Sequence, residues 1–229
     1  MKTIGMIGGM SWESTIPYYR EINQQVKAQL GGFHSAKIIL ISVDFAEIEA
    51  HQRANEWEVA AKKLANAAQQ LQNMGADCII LCTNTMHIVA DQICHGLAVP
   101  FLHIADATAQ QIKNAQLSKI GLLGTRFTME RDFYIERLQS HQLEILVPTA
   151  EERKLIDQII FNELCQGIIT EQSKQIYRGV MHKLAAQGAE GIILGCTEIA
   201  LLVGPDDAAI PLFDTAKLHA QYATQFALA

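Results

Sequence analysis

Two short stretches of this chain combine a thiol with hydroxyl and amide donors: Cys82-Thr83-Asn84-Thr85 and Cys196-Thr197-Glu198. A thiol with a reference pKa of about 8.5 can stand as thiolate or thiol near neutrality, so two of them can act as a base and an acid together. Placed on opposite sides of one carbon, one removes a proton from its face and the other returns a proton to the far face, which inverts the centre. The carbanion formed between those steps needs hydrogen-bond donors on an adjacent carboxylate. Thr83, Asn84 and Thr85 beside Cys82, and Thr197 beside Cys196, are residue types that supply them. Gly8-Gly9 and Gly124 would let backbone amides approach such a carboxylate closely. A lone cysteine after an apolar strand is ordinarily a small core residue; what separates these two from that reading is their place in a repeat.

Short Ile-, Leu- and Val-rich runs at Thr3–Ile7, Ile38–Val43, Cys78–Leu81, Ile120–Leu123, Glu144–Val147 and Gly191–Leu194 alternate with longer amphipathic segments. That is the βαβ pattern of a mostly parallel sheet covered by helices. The segment Glu56–Met74, with Val59, Lys63, Ala67, Gln70 and Met74 among small and polar residues, reads as a helix stopped by Gly75. Three local patterns then recur in the same order at an offset of roughly 110–116 residues. Thr3–Gly9 is answered by Lys119–Thr125, Gly75–Thr83 by Gly188–Thr197, and Val99–Leu102 by Ile210–Phe213. The expectation is an α/β chain of two similar lobes related by a pseudo-twofold axis. Residues 1–100 with a C-terminal segment of about 211–229 form one lobe, and 101–210 the other. Ligands of open parallel sheets bind beyond the carboxyl ends of the strands. Cys82 and Cys196 both follow such ends, so the duplication predicts two thiols flanking one pocket in the cleft.

With 229 residues, 49% of them hydrophobic, the chain can bury a sizeable core. A net charge of -6 argues against a broad surface for nucleic acid. No apolar run approaches the ~20 residues of a membrane span, and Met1–Met10, interrupted by Gly5, Gly8 and Gly9, does not read as a signal peptide. Five cysteines with no Cys-x-x-Cys spacing suit free thiols in a reducing cytoplasm. Cys78, Cys94 and Cys165 read as structural. Gly5-x-x-Gly8-Gly9 lacks the full dinucleotide fingerprint and reads as a tight strand-to-helix turn. Cys82 and His87 lack a second ligand pair at zinc spacing, so His87 reads as a surface or supporting histidine. His103 stays outside the site. Glu198 has the place of a helix-start residue favoured by the helix dipole.

Cys82–His87, Gly195-Cys196-Thr197-Glu198-Ile199 and Gly8-Gly9-Met10-Ser11-Trp12-Glu13-Ser14 resemble the signatures of the aspartate/glutamate racemase family, in the bacterial branch of YgeA-type amino-acid racemases and aspartate racemases. The resemblance spans essentially the whole chain. It implies a two-base mechanism with no cofactor and no metal, a small amino-acid substrate and a homodimer. It makes Cys82 and Cys196 the catalytic pair, and Thr83, Asn84, Thr85, Thr125, Thr197 and Glu198 pocket residues. Met10, Gln52 and Arg53 fall in stretches that line the substrate site, with Arg53 the partner of a carboxylate. Two departures stand out. Cell-wall glutamate racemases carry a histidine where this chain has Glu198, and aspartate-specific relatives use a lysine with no equivalent near Leu164–Gly167.

Other readings of the same scaffold are a hydantoin racemase, a maleate isomerase and a decarboxylase using one cysteine. From a different class, a non-catalytic amino-acid binding protein would keep the cleft but has no need of opposed thiols.

Overall fold

Uninterrupted aliphatic runs such as Cys78–Leu81 and Gly191–Gly195 bury every residue, which is what a central parallel strand covered by helices on both faces requires. In the computed structural model, which describes residues 1–229, the chain runs β1 (Thr3–Gly8), α1 (Trp12–Leu30), β2 (Lys37–Ser42), α2 (Phe45–Arg53), α3 (Trp57–Asn73), β3 (Cys78–Leu81), a 3₁₀ turn (Thr85–Val89), α4 (Ala90–Cys94), β4 (Phe101–Leu102) and α5 (Ile104–Asn114). It continues with β5 (Lys119–Gly124), α6 (Arg126–Glu130), α7 (Asp132–Ser140), β6 (Glu144–Leu146), α8 (Ala150–Asn162), a 3₁₀ turn (Leu164–Gln166) and α9 (Glu171–Ala186). It ends with β7 (Gly191–Gly195), α10 (Ile199–Leu202), a further 3₁₀ turn (Pro205–Asp207), β8 (Leu212–Asp214) and α11 (Thr215–Leu228).

Two compact units result, Met1–Ile104 with His219–Ala229, and Ala105–Leu218. Each holds one four-stranded, all-parallel sheet. The order is β2-β1-β3-β4 in the first and β6-β5-β7-β8 in the second. The two orders match strand for strand, so the three repeated patterns of the sequence are the first, third and fourth strands of each sheet. The fourth strand is a short edge of two or three residues, paired on one side.

In the first unit Ile7, Ile79 and Leu81 meet Leu64, Leu71 and Ile93 from the covering helices. The helix read at Glu56–Met74 is α3, and Gly75 stops it with φ 92°. Its inward face is Ala60, Ala61, Leu64, Ala67, Ala68 and Leu71, whereas Val59 and Met74 lie exposed. Small alanines let this helix sit close to the sheet, so apolar size alone is a poor guide to the buried stripe. In the second unit α8 and α9 bury Ile156, Ile159, Ile160, Tyr177, Val180 and Leu184. No helix is long and apolar enough to cross a membrane.

Candidate active site

The first parallel strand of each sheet lies between neighbours whose connections leave in opposite directions. The loops after it and after the third strand therefore open a crevice at the switch of strand order. In the first unit those loops carry Gly9-Met10-Ser11 after β1 and Cys82-Thr83-Asn84-Thr85 after β3. In the second they carry Thr125 after β5 and Cys196-Thr197-Glu198 after β7.

Cys82 is wholly buried, and its amide donates to the Ile7 carbonyl at 2.9 Å, which continues the β1–β3 ladder one residue past the strand. Thr83, Asn84, Thr85 and Met10 are buried around these same two loops. Burial pushes the Cys82 thiol well above the usual range, because removing it from water penalises the thiolate. His87 holds the loop from behind. A carbonyl can only accept, so His87 Nδ1 donates to Thr83 O at 2.7 Å, and its Nε2 accepts from the Ile104 amide at 3.3 Å. That is the neutral tautomer with both ring nitrogens engaged by backbone. Of the two readings the sequence left for it, His87 takes the supporting one, as a buried strut. His103 meets it edge-on, with ring centroids 4.4 Å apart. A second strut is His219, which donates from Nε2 to Leu102 O at 2.7 Å and accepts the Tyr18 hydroxyl at Nδ1, 3.0 Å away.

Cys196 is buried too, and its thiol donates to Glu198 Oε2 at 3.0 Å. Thr197 Oγ1 donates to the same oxygen at 2.9 Å. Burial and then the Glu198 charge push this thiol well above its ordinary value. Glu198 stands at the start of α10, but its side chain makes no capping bond there and turns to the thiol instead. Thr125 caps α6, accepting from the Thr128 amide at 3.3 Å, and is buried. The strand end that presents Cys196 is held by glycine. A Cβ on Gly195 would stand 2.8 Å from the Leu123 carbonyl oxygen, so β5 and β7 approach here as only glycine permits.

Gln52 and Arg53 part company although they are adjacent. Gln52 is buried in the last turn of α2 and donates from Nε2 to Met86 Sδ at 3.0 Å, whereas the Arg53 side chain is 75% exposed and ion-paired with Glu49 one turn back. Gly9 takes the strand-to-helix turn role that the sequence suggested and not the carboxylate-binding one. The Gly9 amide is taken by Thr15 Oγ1 at 2.9 Å, so Gly9 serves the turn into α1. Two residues escaped the sequence reading. Cys165, in the 3₁₀ turn packed against α10, and Tyr177, a buried α9 residue, both lie within electrostatic reach of Cys196. Nothing in their spacing signals it, because that neighbourhood arises only when the 3₁₀ turn packs on α10 and α9 on β5.

A family profile for Asp/Glu/hydantoin racemases matches residues 7–223. The chain belongs to that family. Membership places the protein among racemases, as the Cys-Thr pairs at equivalent strand ends lead one to expect. The broad-specificity amino-acid racemase RacX of Bacillus subtilis is 22% identical over 226 residues, 95% of each chain. Among solved structures, one from Yersinia pestis, provisionally described as an Asp/Glu racemase, shares 58% identity at a TM-score of 0.93 over 100% of both chains. An aspartate racemase homologue from Pyrococcus horikoshii shares 36% identity at a TM-score of 0.85, again over 100% of both. The two-unit architecture is thus that of the family.

Proposed function

We propose that the protein is a cofactor-independent amino-acid racemase that inverts Cα with Cys82 and Cys196 as opposed acid and base. The observation that carries this reading is the equivalent position of the two Cys-Thr pairs, each just past the third strand and beside the switch point of its own sheet. One thiolate takes the α-proton, and the thiol on the other face returns a proton to Cα. Burial disfavours that thiolate in the free protein, so the α-ammonium of the bound substrate supplies the opposing charge that lets it form. Thr83, Thr85 and Thr197 hydroxyls, with Asn84, are proposed to hold the α-carboxylate as negative charge spreads onto it.

Neither pyridoxal phosphate nor a metal is needed in this scheme, since the acid, the base and the carboxylate donors are all side chains. The protein is proposed to act in the cytoplasm on a free amino acid, as a homodimer. Trp12, Ile16 and Tyr19, an exposed apolar stripe on α1, support self-association. The relatives' names favour aspartate and glutamate, with broad specificity as the second reading. On the first reading Arg53 leaves Glu49 for the side-chain carboxylate of the substrate, which a guanidinium holds by two parallel hydrogen bonds.

Protein dialysed against a chelator and freed of pyridoxal phosphate is expected to invert at least one amino acid in a chiral chromatography screen. In D2O it should incorporate one deuterium at Cα. Turnover of maleate or a hydantoin alone, or tight amino-acid binding without exchange, would overturn the proposal in favour of an isomerase of another substrate or a binding protein. For specificity, Arg53→Ala is expected to raise KM for aspartate about tenfold or more while leaving homoserine nearly unchanged. Equal losses on both substrates reject the side-chain role.

A further inference from the structure

The two Cys-Thr stretches are equivalent by repeat, yet the next residue differs in charge: Asn84 follows Cys82-Thr83, and Glu198 follows Cys196-Thr197. Both are buried. The carboxylate is engaged with the reacting sulfur itself, since the Cys196 thiol donates to Glu198 Oε2 at 3.0 Å and Thr197 Oγ1 braces the same oxygen at 2.9 Å. A hydrogen bond from a thiol to a buried carboxylate exists only while the thiol keeps its proton, and ionising the sulfur would set two negative charges at contact distance.

We propose that Glu198 is a positioning residue that holds Cys196 as the protonated member of the pair, so that Cys82, whose neighbour is the neutral Asn84, gives up its proton first. This rests on the two-thiol reading above and adds an order to it: the resting enzyme is poised with Cys82 as base and Cys196 as acid. One contact opposes this, a hydrogen bond from the Glu198 backbone amide to the Cys196 sulfur, and it is outweighed by burial and the Glu198 charge. Cys165 on the 3₁₀ turn raises it further, and Tyr177 on α9 is itself raised by Cys196, Asp157, Cys165 and Glu163. None of these groups is a cation that would favour a thiolate at Cys196.

Asymmetry of this kind has a restricted kinetic signature. The equilibrium constant between enantiomers is unity, so kcat/KM is equal in both directions whatever the enzyme does. The enantiomer that fits the resting protonation form therefore binds with the lower KM and turns over with the proportionally lower kcat.

The test is site-resolved alkylation with iodoacetamide as a function of pH, read by peptide mass spectrometry on the folded protein, with Glu198→Gln beside wild type. Glutamine keeps an acceptor for the thiol and removes the charge. Cys196 alkylation at pH 8 is expected to rise about tenfold, corresponding to roughly one unit in its midpoint, while Cys82 stays within twofold. The reciprocal Asn84→Asp places a carboxylate beside Cys82 and should slow its alkylation by a similar factor, which keeps the test decisive if Glu198→Gln folds poorly. In turnover, the ratio of KM values for the two enantiomers should move toward one in Glu198→Gln. An unchanged or slower Cys196 reaction in Glu198→Gln, or an unchanged Cys82 reaction in Asn84→Asp, overturns the inference. Because alkylation needs no turnover, that result is distinct from absence of racemisation in wild type, which would instead remove the two-thiol reading.

Discussion

Cys82→Ala and Cys196→Ala are each expected to abolish net inversion, with a loss of at least ~10³-fold. Removing one general acid or base typically costs 10²–10⁴-fold, and under the proposed two-base mechanism each variant lacks the proton-transfer group of one face. The remaining thiol keeps half of the reaction. It can take the α-proton from the enantiomer whose hydrogen faces it and return a solvent proton to that same face, giving exchange without inversion. In D2O each variant should therefore wash deuterium slowly into one enantiomer only, and the two variants should choose opposite enantiomers. Chiral separation followed by mass spectrometry reads both properties in one experiment. Full inversion by either variant would remove the two-base mechanism, and exchange into the same enantiomer by both would place the two thiols on one face. Alanine at these buried positions leaves a small cavity, so circular dichroism and a thermal melt should accompany the assay.

The second large effect concerns stability and has an internal control. Gly9 and Gly75 have nearly the same backbone conformation, φ 91° and 92°, which L-residues rarely adopt. Their surroundings differ. A Cβ on Gly75 would meet nothing within 4 Å, whereas one on Gly9 would stand 2.2 Å from the Val43 carbonyl oxygen and 2.8 Å from its amide nitrogen. Gly75→Ala is expected to cost only the conformational term, about 1–2 kcal/mol. Gly9→Ala adds a backbone collision between the turn after β1 and the end of β2, and is expected to cost on the order of 3–5 kcal/mol. Urea denaturation of both variants measures the difference, and equal costs would show that the turn yields freely. Because Gly9 precedes Met10 at the proposed pocket, surviving Gly9→Ala protein should also lose activity, which Gly75→Ala should not.

What the sequence by itself determined is the part of the molecule governed by local pattern. Ile4–Ile7, Ile79–Leu81 and Ile192–Leu194 are aliphatic runs too short for helices and too apolar for loops, so they become strands wherever the chain places them. Their recurrence in order reveals the duplicated unit and puts Cys82 and Cys196 at equivalent strand ends. Tertiary structure decided what depends on which elements meet. The order with β1 and β3 side by side cannot be read from the runs, since the pairing of parallel strands follows from how the crossover helices pack. Gln52 and Arg53 are equally polar neighbours, yet the helical turn between them points one at Met86 and leaves the other in water beside Glu49. His87 carries no sign in its spacing that its two ring nitrogens will be taken by Thr83 O and the Ile104 amide. Glu198 has the sequence position of a helix-start residue, and it bonds a thiol because the short connection between β7 and α10 turns the carboxylate back onto Cys196. Charge and residue type are local properties, but which group a buried charge meets is settled only when the chain has closed around it.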